Sequence, residues 1–462
     1  MRIALLVHAY PPGRLGGTEL YAEGYARALV RAGHEVFVFT ALKNVDREDL
    51  SVRRETRHGV HICWVTNNLF LEDFRATYDR PAVEPAFAEF LREAKPDLVH
   101  AMHVADLSAT LLKIAKAAGI PVGMTLHDYW FTCPRWGQRF HPDLTICETI
   151  EPRKCAECVT RMPWRQPKGA SSAARLLRGL KSTVGIDLTT VAKSTLRRMR
   201  RRSTAVPKAP AAELRRLEEL LVERPQFLRR ELVPHVDLFL APSRFLATEM
   251  ARFGIPKERL AVSRLGIDAA DLRGLERTPS PQIRVAFHGS VMRSKAPHLL
   301  LEAWGKLPVA ARRRGTLTIR GAQRDPVYGE EIGRLARACG ATVEPEFGRA
   351  ALPAKLRQTD LLVVPSIWWE NSPLAILEAL AARVPLLVSE LGGMAELVEE
   401  GAGGYRFRPA DSDDLARWLA RFLEDRALLD ACVAKPIPVR SVDEDARELP
   451  NLILHALSPR PR

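Results

Sequence analysis

Long apolar runs are missing from this chain. No stretch approaches the roughly 18 residues of a membrane-spanning helix, and the opening run Ile3 to Val7 is too short for a secretory leader and reads as a strand. A reducing, cytoplasmic compartment is therefore expected. There is no long internal repeat and no low-complexity tract; with 46% hydrophobic and 27% charged residues, this sets aside fibrous and disordered classes. The G-x-G-x-x-G spacing of dinucleotide-binding turns is also absent. Cysteine is sparse, seven in 462 residues, and in such a compartment the thiols are expected to be free or to bind metal rather than to pair. Acidic residues are outnumbered, 55 against 69 Lys and Arg for a net charge of +14, so an anionic partner has to be considered.

The charge is concentrated. Between Arg161 and Leu232 stand 18 Lys or Arg and 6 Asp or Glu, leaving the rest of the chain nearly balanced. A basic appendage fits this better than a generally cationic protein. It includes Leu176, Leu177 and Leu180 interleaved with Arg175, Arg178 and Lys181, then Arg197-Arg198-Met199-Arg200-Arg201-Arg202. A cationic amphipathic helix with a polybasic turn could rest on an anionic membrane surface; a solvated helical insertion is the alternative. Nucleic acid is not expected, because no aromatics are interleaved and no recognition motif accompanies the run.

Strand Ile3 to Val7, a glycine loop at Gly16-Gly17, a helical pattern ending near Gly33 and a second strand at Val36 to Phe39 make a βαβ unit, the building block of a parallel sheet. Further apolar runs end in polar residues at His100, His127-Asp128 and Ser243. Ligands in open α/β sheets bind beyond the carboxyl ends of strands. Thr278-Pro279-Ser280-Pro281 breaks the pattern, and the alternation restarts at Ile283 to Phe287. The expected helices of the second half run about 297–306, 329–338 and 373–382, between strands at 316–320, 361–364 and 385–388. Two doubly wound domains are expected, 1–275 and 282–435, with an amphipathic tail over 436–462.

Three segments carry candidate chemistry. Gly16 and Gly17 lie at a strand-to-helix turn, where backbone can approach an anion closely. Gly289-Ser290-Val291-Met292-Arg293-Ser294-Lys295 follows a strand and brings cations suited to a diphosphate. Trp368-Trp369-Glu370-Asn371-Ser372-Pro373-Leu374 leads into a helix that carries Glu378, so two carboxylates stand eight residues apart, one in a loop and one on the helix.

In order and spacing these segments resemble glycosyltransferase family 4, retaining nucleotide-sugar enzymes with the two-Rossmann GT-B fold. Ala241-Pro242-Ser243-Arg244-Phe245, Gly254-Ile255-Pro256, Gly266-Ile267-Asp268, Gly392-Gly393 and Glu396 extend the resemblance over nearly the whole chain. It implies two facing α/β domains, the first for acceptor and the second for donor, with a C-terminal helix returning to the first. Lys295 then matches the basic residue on the donor diphosphate and Glu378 the carboxylate on the ribose. Glu370 and His127 match the residues at the donor sugar, and Gly16 and Gly17 the loop over the diphosphate. Gly289, Ser290, Arg293, Asn371, Ser372, Pro373 and Leu374 complete the implied donor site. Two departures stand out: Ser290 replaces a frequent Arg, whose charge Arg293 could supply, and Arg383 replaces a usual Gly. The implied activity is sugar transfer with retention to a glycan or lipid-linked acceptor, as in cell-surface polysaccharide synthesis. A nucleotide-sugar epimerase and a non-catalytic binding protein remain open alternatives.

Cys133, Cys147, Cys155 and Cys158 gather four of the seven cysteines within an insertion at about 133–160, spaced C-x13-C-x7-C-x2-C. A structural zinc site fits, and unliganded buried thiols are the competing reading. Asp411-Ser412-Asp413 has the spacing of a divalent-ion motif but directly precedes a helical pattern, so helix capping is expected there and no catalytic metal.

Overall fold

The computed structural model describes residues 1–13, 16–166 and 209–456. Most of the basic segment, including Arg175 to Lys181 and Arg197 to Arg202, lies outside the described residues.

The first sheet contains β1 (Arg2–Val7), β2 (Glu35–Leu42), β3 (Val52–Arg57), β4 (Val60–Thr66), β5 (Leu98–Ala101), β6 (Val122–Thr125), β7 (Leu238–Ala241) and β8 (Leu260–Val262). Its order is β3-β4-β2-β1-β5-β6-β7-β8, and only the β3–β4 pair is antiparallel. The second contains β9 (Ile283–His288), β10 (Gly315–Arg320), β11 (Thr342–Glu344), β12 (Leu361–Val364), β13 (Leu386–Ser389), β14 (Glu399–Glu400) and β15 (Gly403–Phe407). Its order is β11-β10-β9-β12-β13-β15-β14, parallel throughout.

The inner strands of both sheets are covered on both faces, which is why they read as continuous apolar runs rather than alternations, whereas the outermost β3 and β14 are polar. Along β1, Ile3, Leu5 and Val7 enter one core, with Tyr21, Tyr25 and Leu29 of the helix Gly17–Arg31. Ala4 and Leu6 enter the opposite core, with Phe87, Phe90 and Leu112. The first of these cores continues into the second sheet through Leu362, Ile376 and Leu377, so apolar packing is shared between the two halves. In each sheet the strand order reverses beside the first strand, between β1 and β5 and between β9 and β12, and these reversals set the two ligand crevices.

The helix Val442–His455 returns to the first sheet. Tyr21 donates to Asp445 Oδ2 at 2.9 Å, Arg31 pairs with Asp443 at 2.6 Å, and Gly123 of β6 has no room for a side chain because Ile453 would lie 2.3 Å from its Cβ. Asp411 caps the helix Ser412–Glu424, accepting from the amides of Asp413 and Asp414, while Asp413 pairs with Lys306. Arg383 adopts φ 54, in the left-handed region that glycine occupies without cost, which fits the glycine that the resemblance leads one to expect there.

Within the expected basic insertion, Ala211–Glu231 is a helix packed into the first core through Leu217, Leu221, Phe227 and Leu228. Its Arg224 is 3% exposed, donates to the carbonyls of Trp130 and Phe131, and lies 4.7 Å over the Trp130 ring. This part of the segment is a core element rather than a solvated appendage. Among the described residues no helix is long and apolar enough to cross a membrane.

Candidate active site

In the second sheet the crevice is built by the loops after β9 and β12. Gly289 takes φ 147, a conformation L side chains avoid, and its carbonyl lies where a Cβ on Gly321 would sit. The turn Arg293–Lys295 follows, tied to the loop after β12 by the Ile367 amide, which donates to the Ser294 carbonyl at 2.9 Å. That bond sets Lys295 Nζ 2.9 Å from Glu370 Oε1, which also accepts from Ser366 Oγ at 3.0 Å. Glu370 is 6% exposed and Lys295 half-buried, so the ion pair is held in a partly desolvated pocket with the ammonium at its mouth. Arg293 is directed elsewhere: it pairs with Glu331 at 2.7 Å and lies 4.7 Å over the Tyr328 ring.

The helix Leu374–Ala381 begins after Pro373, with Glu378 one turn in. Burial pushes the Glu378 carboxyl up to about 7, with Arg349 opposing and Asp271 adding to the shift. Arg349 is engaged with Asp271 at 2.8 Å and with the Asp268 carbonyl. Gly17 faces this helix from the first half; a Cβ there would lie 4.0 Å from Leu374. Gly16, the residue before the helix Gly17–Arg31, has extended backbone, and a Cβ on it would meet the Glu19 carboxylate at 2.5 Å.

Asn371 ties the halves together. Its amide donates to the Leu126 carbonyl at 3.2 Å and accepts from Ser243 Oγ at 2.8 Å. Glu396 adds to this seam by accepting the amides of Arg244 and Phe245 at the start of the helix Arg244–Phe253. His127 follows Leu126 and so lies at the same seam. Burial drops its pKa to about 3, making it a neutral imidazole at physiological pH. His127 Nε2 and Ser372 Oγ are buried polar atoms without a hydrogen-bond partner among the described residues, as expected of groups that face a ligand.

A carboxylate–imidazole cluster stands at the crevice of the first sheet. His8 after β1 pairs with Glu19 at 3.3 Å, and its ring lies 4.6 Å from that of His103. The Ala105 amide donates to His103 Nδ1 at 3.0 Å, so the ring proton sits on Nε2, 3.3 Å from Asp128 Oδ2. Asp128 Oδ1 accepts from the Trp130 amide at 2.8 Å. Although burial opposes it, His103 and that amide hold the Asp128 carboxyl below its usual range. Sequence reasoning passed over His103 and marked His100, which is instead fully buried within β5, bonded to Thr125 at 2.8 Å and Tyr25 at 3.3 Å. The usable signal was position: His103 stands just beyond the strand end and His100 inside it.

Cys133, Cys147, Cys155 and Cys158 line one small cavity of the insertion. Burial raises the pKa of all four thiols, that of Cys155 to about 12 and that of Cys158 to about 11.

A model of the group 1 glycosyl transferases matches residues 270–435, and one of the glycosyl transferase 4-like domain matches residues 16–151. The chain is 27% identical over 210 residues to the putative colanic acid biosynthesis glycosyltransferase WcaL of Salmonella typhimurium, an alignment covering 42% of this chain and 49% of that one. It thus spans about half the length of the curated relatives it matches. Among solved structures, Anabaena Alr3699/HepE in complex with UDP-glucose superposes with a TM-score of 0.55 at 16% identity, over 98% of this chain and 99% of that one. Sucrose-phosphate synthase from Thermosynechococcus elongatus gives 0.61 at 15% identity, over 99% and 100%. Two parallel Rossmann-like sheets, a returning C-terminal helix and both family matches lead to one conclusion: the chain belongs to glycosyltransferase family 4, with the GT-B fold.

Proposed function

We propose that this chain transfers a sugar from a nucleotide-sugar donor to a glycan or lipid-linked acceptor with retention of anomeric configuration, in the synthesis of a polysaccharide or glycoconjugate. One juxtaposition carries the reading: the Lys295–Glu370 pair of the second sheet sits beside Asn371, which is bonded to the residue before His127 of the first. Residues 282–435 form the donor domain, and 1–275 with the tail 436–462 form the acceptor domain.

Lys295 and Ser290 receive the diphosphate, Glu378 accepts the ribose hydroxyls, and Glu370 and His127 contact the donor sugar. Gly16 and Gly17 close over the diphosphate with no side chain in the way, opposite Leu374. Cleavage of the anomeric C–O bond leaves negative charge on the diphosphate, which the fixed ammonium of Lys295 and the start of the helix Leu374–Ala381 counter. The acceptor hydroxyl attacks from the same face, and the leaving phosphate takes its proton. Glu370 is already engaged by Lys295 and Ser366, a setting for orientation rather than covalent attack. His127, neutral, can hydrogen-bond a sugar hydroxyl without opposing that charge distribution. The solved neighbour holding UDP-glucose makes UDP-sugars the first donors to try. A cytoplasmic site at the inner membrane face, held by the basic segment, fits a lipid-linked acceptor.

The decisive experiment screens nucleotide sugars by thermal stabilisation, then incubates the stabilising donor, labelled in its sugar, with glycan and lipid-linked acceptors. Labelled acceptor with retained configuration is expected. Label found only in an isomerised nucleotide sugar would overturn the reading in favour of an epimerase.

A further inference from the structure

The four-cysteine cavity is independent of the donor site and no step of the proposed transfer uses it. Cys155 and Cys158 lie one turn apart on the helix Pro152–Thr160, while Cys133 and Cys147 come from the loop before it. That loop is tightly wound: Trp136, Arg139 and Leu144 have φ of 46, 48 and 72, and its regular pairing is limited to the isolated bridge Phe140–Ile146. Residues up to 25 positions apart in sequence thus deliver their thiols to one wall. The chain's remaining cysteines, Cys63, Cys339 and Cys432, are scattered singly in the cores.

The space between them is small, about 20 Å3, enough for one ion or one water. A water needs two to four polar partners, and thiols are poor ones. The surrounding charge is unusual for neutral cysteines. Arg224 and Arg139 act on Cys133, Lys154 and Arg139 on Cys147, Arg224 on Cys155, and Arg135 on Cys158, while Asp143 acts on Cys147 and Glu151 shares the cavity wall. The Cys133 thiol donates to the Arg135 carbonyl at 3.8 Å. Four thiolates around a divalent ion carry a net charge of two minus, which such a cationic shell offsets and which four neutral thiols do not require. Among the described residues no group of three or more Cys, His, Asp or Glu side chains is arranged to hold a metal ion as it stands; the four sulfurs line one wall, and binding requires them to close in to Zn–S bonds of about 2.3 Å.

We propose that Cys133, Cys147, Cys155 and Cys158 bind one zinc-class divalent ion as a closed tetrahedral tetrathiolate that staples the insertion 133–160. Binding forms four metal–sulfur bonds and releases four thiol protons to solvent. The staple fixes Arg139, which donates to the carbonyls of Cys147 and Glu148 at 2.6 Å each and lies 4.7 Å over the Trp369 ring, beside Glu370. The ion therefore anchors a contact that crosses from the insertion to the donor half.

The full chain, purified under reducing conditions, should contain about one zinc per chain by elemental analysis, with four sulfur neighbours near 2.3 Å by X-ray absorption. Chelated protein refilled with cobalt should show tetrahedral ligand-field bands and thiolate charge transfer. Cys155→Ser should lose the ion, while Cys63→Ser and Cys432→Ser keep it. Should Cys155→Ser fail to fold, the wild-type cobalt spectrum decides alone. A wild-type chain that neither holds zinc nor gives the cobalt spectrum overturns the proposal. So do equimolar iron and sulfide with absorbance near 400 nm, or zinc retained in Cys155→Ser.

Discussion

The two halves share an architecture and differ in what they place at the point where strand order reverses. The second presents a fixed ammonium, Lys295, against a buried carboxylate, with a protonatable carboxyl at Glu378 nearby. The first presents a neutral imidazole at His127 and the His103–Asp128 pair. One crevice suits a polyanion and the other suits hydroxyl groups. The same crevice geometry serves both, so the proposed division of labour between donor and acceptor resides in a handful of side chains at strand ends.

Removing the cation should damage this contrast most. Lys295→Ala is expected to lower turnover by about 100- to 1,000-fold, roughly 2.7 to 4 kcal/mol of charge stabilisation; steady-state rates within tenfold of wild type would mean the halves do not divide charge in this way. Next comes the proposed ribose contact. Glu378→Ala should weaken nucleotide binding by roughly 1.5 to 3 kcal/mol in calorimetry.

The same residue gives a pH signature. With a folded-state pKa raised to about 7, Glu378 is protonated at pH 6 and ionised at pH 8, and the ionised form is the better acceptor for two hydroxyls. Nucleotide affinity should therefore rise across that interval and be flat in Glu378→Gln. For stability the sign is opposite: the folded state binds the extra proton, so this carboxyl favours folding less as pH climbs from about 4.5 to 7.

On the acceptor side, Asp128→Asn should raise the acceptor KM about tenfold, near 1.4 kcal/mol, and leave nucleotide affinity unchanged; an equal loss of donor binding would erase the distinction between the halves. The smallest effect lies outside both crevices. Arg383→Gly relieves a left-handed backbone and should stabilise the chain by about 0.5 to 1 kcal/mol in denaturant melts, with kinetics unaltered.

The alternation of strands and helices was legible in the sequence because parallel strands buried on both faces leave apolar runs punctuated by glycine and proline. The expected helix 297–306 and strand 361–364 coincide with those observed. Lys295 and Glu370 could be marked because each stands where a strand ends. What pairs with what was not legible. Arg293 reaches Glu331 because a helix 38 residues downstream happens to flank it, and no local pattern announces that. The helix Ala211–Glu231 was read as part of a basic insertion because its surface charges dominate the composition. Its buried face, Leu217, Leu221, Arg224, Phe227 and Leu228, has helical spacing that charge counting obscured.

The returning helix has a consequence for biogenesis. Asp445 is fully buried and serves Tyr21, the Gly266 amide and Arg440 at once. During synthesis the first sheet emerges from the ribosome with Tyr21 and Gly266 lacking that acceptor, and with the groove beside Gly123 open. Its completion waits for a helix whose Asp445 lies 424 residues downstream of Tyr21, so these two distant segments mature together, and a truncation that removes Val442–His455 should harm the earlier-made half.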